Sequence, residues 1–301
     1  MKLENAVMSG VLTALIVLPL LEAFLRKTLH FGISGSAALV EHLTLIVGMV
    51  GAAIAAREKR LLPLSTLGGL LKGRLGRLAG VFGGSCAAAV SAMLGVAGVE
   101  FVLAERQSGE VLAYGIPVWV VQAIIPAGCA LITLRLLRHS VDSWAGRAVA
   151  ALLAAAWIVL WSWSPMGALI VLGLATVSGV PAFVTLAGVA LVLFKHAGEP
   201  IASIPIAHYS LVTNPALPTI PMFTLAGYLL AEGGAPERLK EAFQAVLGWL
   251  RGGPAIMTAA VCAFFTSFTG GSGVTIIALG GLLMPVLLAR RYKYQIGRAH
   301  V

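Results

Sequence analysis

Apolar residues in this chain come in long runs, and polar residues come in short clusters between them. A run of about 20 apolar residues matches a helix crossing a hydrocarbon core about 30 Å thick. The pattern predicts spans over 6–24, 37–56, 79–103 and 116–137. The third is rich in Gly and Ala, which allows close helix contact in lipid. Residues 148–194 are almost continuously apolar, broken by SWSP (162–165) and GVP (179–181). They predict about three helical pieces, because Pro removes a backbone donor and Gly frees the chain. TNPALPTIPM (213–222) carries three prolines in seven positions and cannot be regular helix. PERLKEAFQAVLGWL (236–250) puts Leu239, Phe243, Val246, Leu247 and Leu250 on one side and charges on the other, a helix lying in the interface. The expected fold is all-α, a polytopic helical membrane protein of about eight to nine membrane segments, with a re-entrant helical hairpin near the C-terminus.

Composition agrees with this pattern. Of 301 residues, 59% are hydrophobic and 11% charged, with a mean hydropathy of +0.95, which excludes a water-soluble globular domain. The formal charge of +9 raises the question of nucleic acid. The bases, however, cluster between apolar runs, as cytoplasmic loops do. Between 57 and 77 stand Arg57, Lys59, Arg60, Lys72, Arg74 and Arg77 against Glu58, a net +5. The N-terminus, this loop, the polar linker near 142 and the helix 236–250 are therefore expected in the cytoplasm, and the acidic segment around Glu100, Glu105 and Glu110 outside. The N-terminal run lacks a small-residue cleavage pattern and reads as a retained span. Cys86, Cys129 and Cys262 lie far apart in apolar runs and read as embedded hydrophobes. Neither H-E-x-x-H, G-x-S-x-G nor a nucleotide-binding G-x-x-x-x-G-K-S/T is present, so no enzyme is expected, and transport would draw on an ion gradient.

The most informative stretch is 254–289, flanked by Arg251 and by Arg290, Arg291 and Lys293. Bases at both ends place both ends on one side. Two full spans with a tight turn satisfy this, and so does a re-entrant hairpin turning at SFTGGSGVT (267–275). Non-helical backbone at membrane depth survives only inside protein or beside a water-filled cavity. There Gly270 and Gly271 would let the chain turn, while Ser267, Thr269, Ser272 and Thr275 would offer oxygens to a small cation such as sodium. Small-residue packing is the alternative use of the same residues. Asn214 and Thr219 either line a pathway or belong to an extramembrane turn. Glu41 and His42, near the start of the second span, are expected to snorkel to the interface.

With these pieces the chain resembles the membrane component of tripartite ATP-independent periplasmic (TRAP) transporters, with small (DctQ-like) and large (DctM-like) permease subunits fused. The small-subunit likeness rests on four spans, AAREKRLLPLSTL (55–67) and GIPVWVVQAIIPAGCALITLRLL (115–137). The large-subunit likeness rests on GVPAFVTLAGVALVL (179–193), IPMFTLAGYLLAEGGAPERL (220–239) and RGGPAIMTAAVCAFFTSFTGGSGVTIIALGGLLMP (251–285). The resemblance implies a small-subunit module over 1–140, a linker helix over 141–163 and the opening of the large subunit over 164–294. It further implies an elevator-type, sodium-driven importer of organic acids in the bacterial inner membrane, fed by a periplasmic binding protein. The tip of the family's first hairpin falls on Ser267 to Ser272, here TGGSG where the common tip is closer to SGS.

The second hairpin of the family does not follow. IGRAHV (296–301) is the translation of a common sequencing-adapter string, which predicts a non-native tail over 295–301 and a C-terminally truncated subunit. A non-transporting membrane scaffold, with its Gly/Ser-rich segments serving only helix packing, is the competing function.

Overall fold

The computed structural model describes residues 2–63, 73–140, 144–234 and 252–269, with isolated helical positions between 238 and 288 and residue 292. Every regular element described is a helix. The chain divides into two compact units, 1–214 and 215–301.

The first unit opens with α1 (Lys2–Thr28), α2 (Ser36–Arg57) and α3 (Gly73–Ser108). The third helix outruns its predicted span at both ends, so Glu100, Glu105 and Arg106 ride on its last turns. The predicted fourth span is two helices, α4 (Val118–Gln122) and α5 (Ile124–Ser140). Pro126 is the cause: it has no N–H to give the Gln122 carbonyl, and its ring crowds that oxygen. Then follow α6 (Trp144–Trp163), α7 (Pro165–Val177), α8 (Ala182–His196) and α9 (Ser203–Val212). The breaks fall at SWSP and GVP as expected. Ser164 caps α7, its hydroxyl accepting from the Gly167 N–H at 3.1 Å, with Pro165 in the first turn. The second unit contains α10 (Thr219–Glu232) and α11 (Gly253–Thr269), which pack together. The predicted interfacial helix 236–250 lies largely outside the described residues; Arg238, Glu241, Ala242, Ala245 and Val246 are helical and exposed.

Helix length separates the two halves of the sequence. Among the described residues, five helical stretches up to Trp161, with α4 and α5 taken together as one, are long and apolar enough to cross a membrane. At 1.5 Å per residue, α7, α8, α9 and α10 reach only about 15 to 22 Å, short of a roughly 30 Å core.

The ends of α1, α2 and α5 meet in a fixed order. At one end Glu4 pairs with Arg57 at 2.8 Å and with Arg135, while Arg57 donates to Asn5 Oδ1 at 2.9 Å. At the other end Ser36 and Arg26 both bond Glu22, and the Arg106 guanidinium lies 5.4 Å from the Trp119 ring centre. There Gly35 takes φ +73, and a side chain on it would meet the Ala113 Cβ at 2.7 Å, so only glycine fits. The spans therefore alternate direction, with the N-terminus, Arg57 and Arg135 at one end.

The core forms around α3. Cys86, Ala87, Ala88, Ala89, Val90 and Ser91 are consecutive and all buried, which for a helix means neighbours on every side. Those neighbours come from α5, α6, α7, α8 and α9. Trp161, Leu172, Val184, Leu191 and Val192 from the second half of the unit close the same cluster. Glycines set the approach distances: a Cβ on Gly84 would stand 2.6 Å from the Ser140 Cβ and 3.3 Å from its Cα.

Beside this apolar core lies a polar junction. His42 is buried and does not snorkel, which corrects the expectation from sequence. Its Nδ1 lies 2.7 Å from the Ala38 carbonyl, which can only accept, so Nδ1 carries the proton. Nε2 then accepts from the Tyr209 hydroxyl at 2.7 Å, tying α2 to α9. Phe101 of α3 leans on the Tyr209 ring, with centroids 5.6 Å apart.

Four variants test these contacts, each read as unfolding free energy in detergent. Gly84→Ala is expected to destabilise by about 1 to 3 kcal/mol through overpacking against Ser140. Gly48→Ala, where no atom stands within 4 Å of the added methyl, should cost nothing. Tyr209→Phe strands the buried His42 nitrogen and should cost about 1 to 3 kcal/mol. The double variant Tyr209→Phe/His42→Leu should cost less than the sum of its two single variants, and strict additivity would contradict the bond.

Candidate functional site

The α11 sequence GPAIMTAAVCAFFTSFT begins after Gly252, which takes φ +87. Pro254 then occupies the first turn, where its missing N–H costs no bond. Met257, Thr258 and Val261 are buried, and Ile256, Ala259, Ala263 and Ser267 are exposed. The hydroxyls return to their own helix. Thr258 donates to the Pro254 carbonyl at 2.8 Å, Thr266 to Cys262 at 2.7 Å and Ser267 to Ala263 at 2.9 Å. Such bonds to the residue four back let hydroxyls enter an apolar helix with their protons placed. An oxygen whose proton is so spent keeps its lone pairs to accept a donor or a cation.

Of the residues singled out from sequence, Ser267 therefore stands exposed near the end of α11 with its hydroxyl proton turned inward. Thr269 is the last described residue of that helix. Gly270, Gly271, Ser272 and Thr275, with the turn they were expected to make, lie outside the described residues. Beyond them Leu279, Leu283 and Leu287 are helical and fully buried.

Asn214 stands in the expected turn, but Thr219 is the first residue of α10, so TNPALPTIPM, expected to lack regular helix, is helical from 219 onward; both residues are exposed. Thr213 and Thr219 donate to the Tyr209 and Ala216 carbonyls, at 2.8 and 2.5 Å. The unit division falls between Asn214 and Pro215. Thr219 thus opens the helix that packs against the one carrying Ser267, while Asn214 closes the unit before it. Sequence reading missed Tyr209 and Gln122. Gln122 is fully buried at the end of α4 beside Tyr209, and neither of its amide atoms meets hydrogen-bond geometry. A lone Gln ahead of a proline in an apolar run was the available signal. Among the described residues no group of His, Cys, Asp and Glu is placed to hold a metal ion.

Comparison with known proteins supplies the family. Residues 15–146 match the model of the DctQ component of tripartite ATP-independent periplasmic transporters, and 148–300 match that of the DctM component. The chain is 29% identical over 194 residues to the isethionate TRAP transporter permease protein DctMQ of Oleidesulfovibrio alaskensis, covering 60% of this chain and 31% of that protein. It is 29% identical over 136 residues to the C4-dicarboxylate TRAP transporter large permease protein DctM of Rhodobacter capsulatus, covering 44% and 31%. Similarity extends, at 37% over 78 residues, to the ectoine/5-hydroxyectoine TRAP transporter large permease protein UehC of Ruegeria pomeroyi, covering 26% and 18%. The chain spans about a third or less of the length of these relatives. Both matching families are transporter components, not enzymes, and the DctM match alone takes in half of the residues. The chain therefore belongs to the TRAP transporter permease family, with its small-subunit and large-subunit parts in tandem on one polypeptide.

Proposed function

We propose that this chain supplies the small-subunit module and the opening of the transport module in a secondary active importer driven by an ion gradient, with sodium as the coupling ion and no other cofactor. The observation that carries the reading is the tandem match, in which the large-subunit part contains the Gly/Ser/Thr stretch at the end of α11. The module over 1–140 and the linker helix over 141–163 hold the start of the transport part, 164–294. Relatives are named for isethionate, C4-dicarboxylates and ectoines, which supports a small charged organic substrate, an organic acid, delivered by a periplasmic binding protein. The setting is the bacterial inner membrane with the N-terminus in the cytoplasm. The shared end of Glu4, Arg57 and Arg135 supports this, because bases collect on that side.

The proposed ion and substrate site comprises Ser267, Thr269, Gly270, Gly271, Ser272 and Thr275, with Asn214 and Thr219 along the pathway. A hard cation takes several oxygens, and no charged side chain stands in this stretch. In a full-length permease carrying this chain, Gly270→Val is expected to abolish uptake into reconstituted vesicles. Ser272→Ala should raise the sodium concentration needed for half-maximal uptake without lowering the amount of protein inserted. Unchanged cation dependence in Ser272→Ala and Thr269→Ala alike would remove these residues from the site and favour the packing role.

Orientation has its own test. In a background lacking Cys262, a cysteine at position 72 should resist an impermeant thiol reagent added outside intact cells and react once the membrane is opened. Labelling from outside would reverse the topology.

A further inference from the structure

The end of the first unit that gathers Glu4, Arg57 and Arg135 holds more positive charge than its acids neutralise. Among the described residues it carries Arg57, Lys59, Arg60, Arg135, Arg138 and Arg147 against Glu4 and Glu58. In sequence Asp142 adds one acid, and Lys72, Arg74 and Arg77 add three bases. The two described acids are already engaged. Glu4 holds Arg57 and Arg135, and Glu58 holds Arg57 at 3.2 Å and Arg60 at 3.7 Å. Lys59 and Arg138 are exposed and have no carboxylate partner among the described residues. Lys59 is also held at φ +56 in the turn after α2. The helix that carries Arg138 packs against both α2 and α6, so bases from three separate stretches meet at one end of the unit.

The depth of this patch follows from α6. Trp144 and Trp163, 83% and 85% exposed, bracket the helix. At 1.5 Å per residue their Cα atoms stand about 28 Å apart, close to the thickness of a hydrocarbon core. Tryptophan prefers the headgroup level at both faces of a bilayer. Trp144 therefore sets the patch at headgroup depth, and the Arg147 guanidinium lies 5.4 Å from its ring centre, within cation–π range.

We infer that Lys59, Arg138 and the Trp144/Arg147 pair form a binding site for the phosphate headgroup of an anionic phospholipid, at the seam where the small-subunit module passes into the linker helix. Charge complementarity supplies the attraction, and the interfacial tryptophan places it against lipid and not against bulk solution. A headgroup seated there would bridge the turn after α2, the end of α5 and the start of α6, and so brace the seam from outside.

The test is retention of fluorescent phosphatidylglycerol by the detergent-purified chain, with phosphatidylcholine as the neutral reference. The chain should prefer phosphatidylglycerol and lose the preference in molar salt. Lys59→Gln and Arg138→Gln should each weaken retention on the order of fivefold, since one surface base near anionic lipid contributes about that factor. Arg106→Gln, at the opposite end of the helices, should leave it unchanged. Equal retention of the two lipids, preference undiminished in the Lys59→Gln/Arg138→Gln double variant, or displacement by millimolar inorganic phosphate would overturn the inference.

Discussion

The first unit depends on how closely other helices can approach α3. From Gly83 to Ser91 that helix offers only Gly, Ser, Cys, Ala and Val, and nearly every one of these residues is buried. In a membrane no hydrophobic force drives helices together, so packing and close backbone approach must do so. Small side chains all round one helix allow neighbours on every side. Larger ones on α3 would push α5, α6 and α8 apart and open the cluster built from Trp161, Leu172, Val184 and Leu191.

One consequence is that the compact unit does not stop where the family models change. The DctQ match ends at 146, yet the first unit continues to Asn214, because α6 to α9 pack on a helix belonging to the small-subunit part. The turn between α2 and α3 joins in, since the Ala182 N–H at the head of α8 donates to the Leu62 carbonyl at 2.8 Å. Two polar ties reinforce this continuity: Trp157 donates to the Ser85 hydroxyl at 3.0 Å, and Tyr209 donates to His42. Fusion of the two components on one chain leaves these contacts within one folded body.

Much of the helix plan was legible because a hydrocarbon core imposes a length, and because Pro and Gly at SWSP and GVP act through local covalent geometry. The same local logic explains the break between α4 and α5, although the Pro126 signal is a single residue inside an apolar run. What sequence reading got wrong was His42. Its fate is decided by Tyr209, 167 positions away, and a pairing of that kind leaves no periodic or charge signature. The candidate ion site is legible only as composition: Ser267 is placed on α11, whereas Gly270, Gly271, Ser272 and Thr275 lie outside the described residues.

In this fold α3 of the small-subunit part is also the core of the helices that follow. Gly83 on α3 and Val180 in the turn between α7 and α8 give the most direct test, because a Cβ on Gly83 would stand 3.0 Å from the Val180 Cγ1. That spacing suits a disulfide. In a chain freed of its native cysteines, with a protease site inserted at 141–143, Gly83→Cys/Val180→Cys should cross-link under mild oxidation. After cleavage the two halves should then run as one band without reductant and as two with it. Separate halves under both conditions, with both thiols reactive once the protein is unfolded, would contradict a shared core around α3.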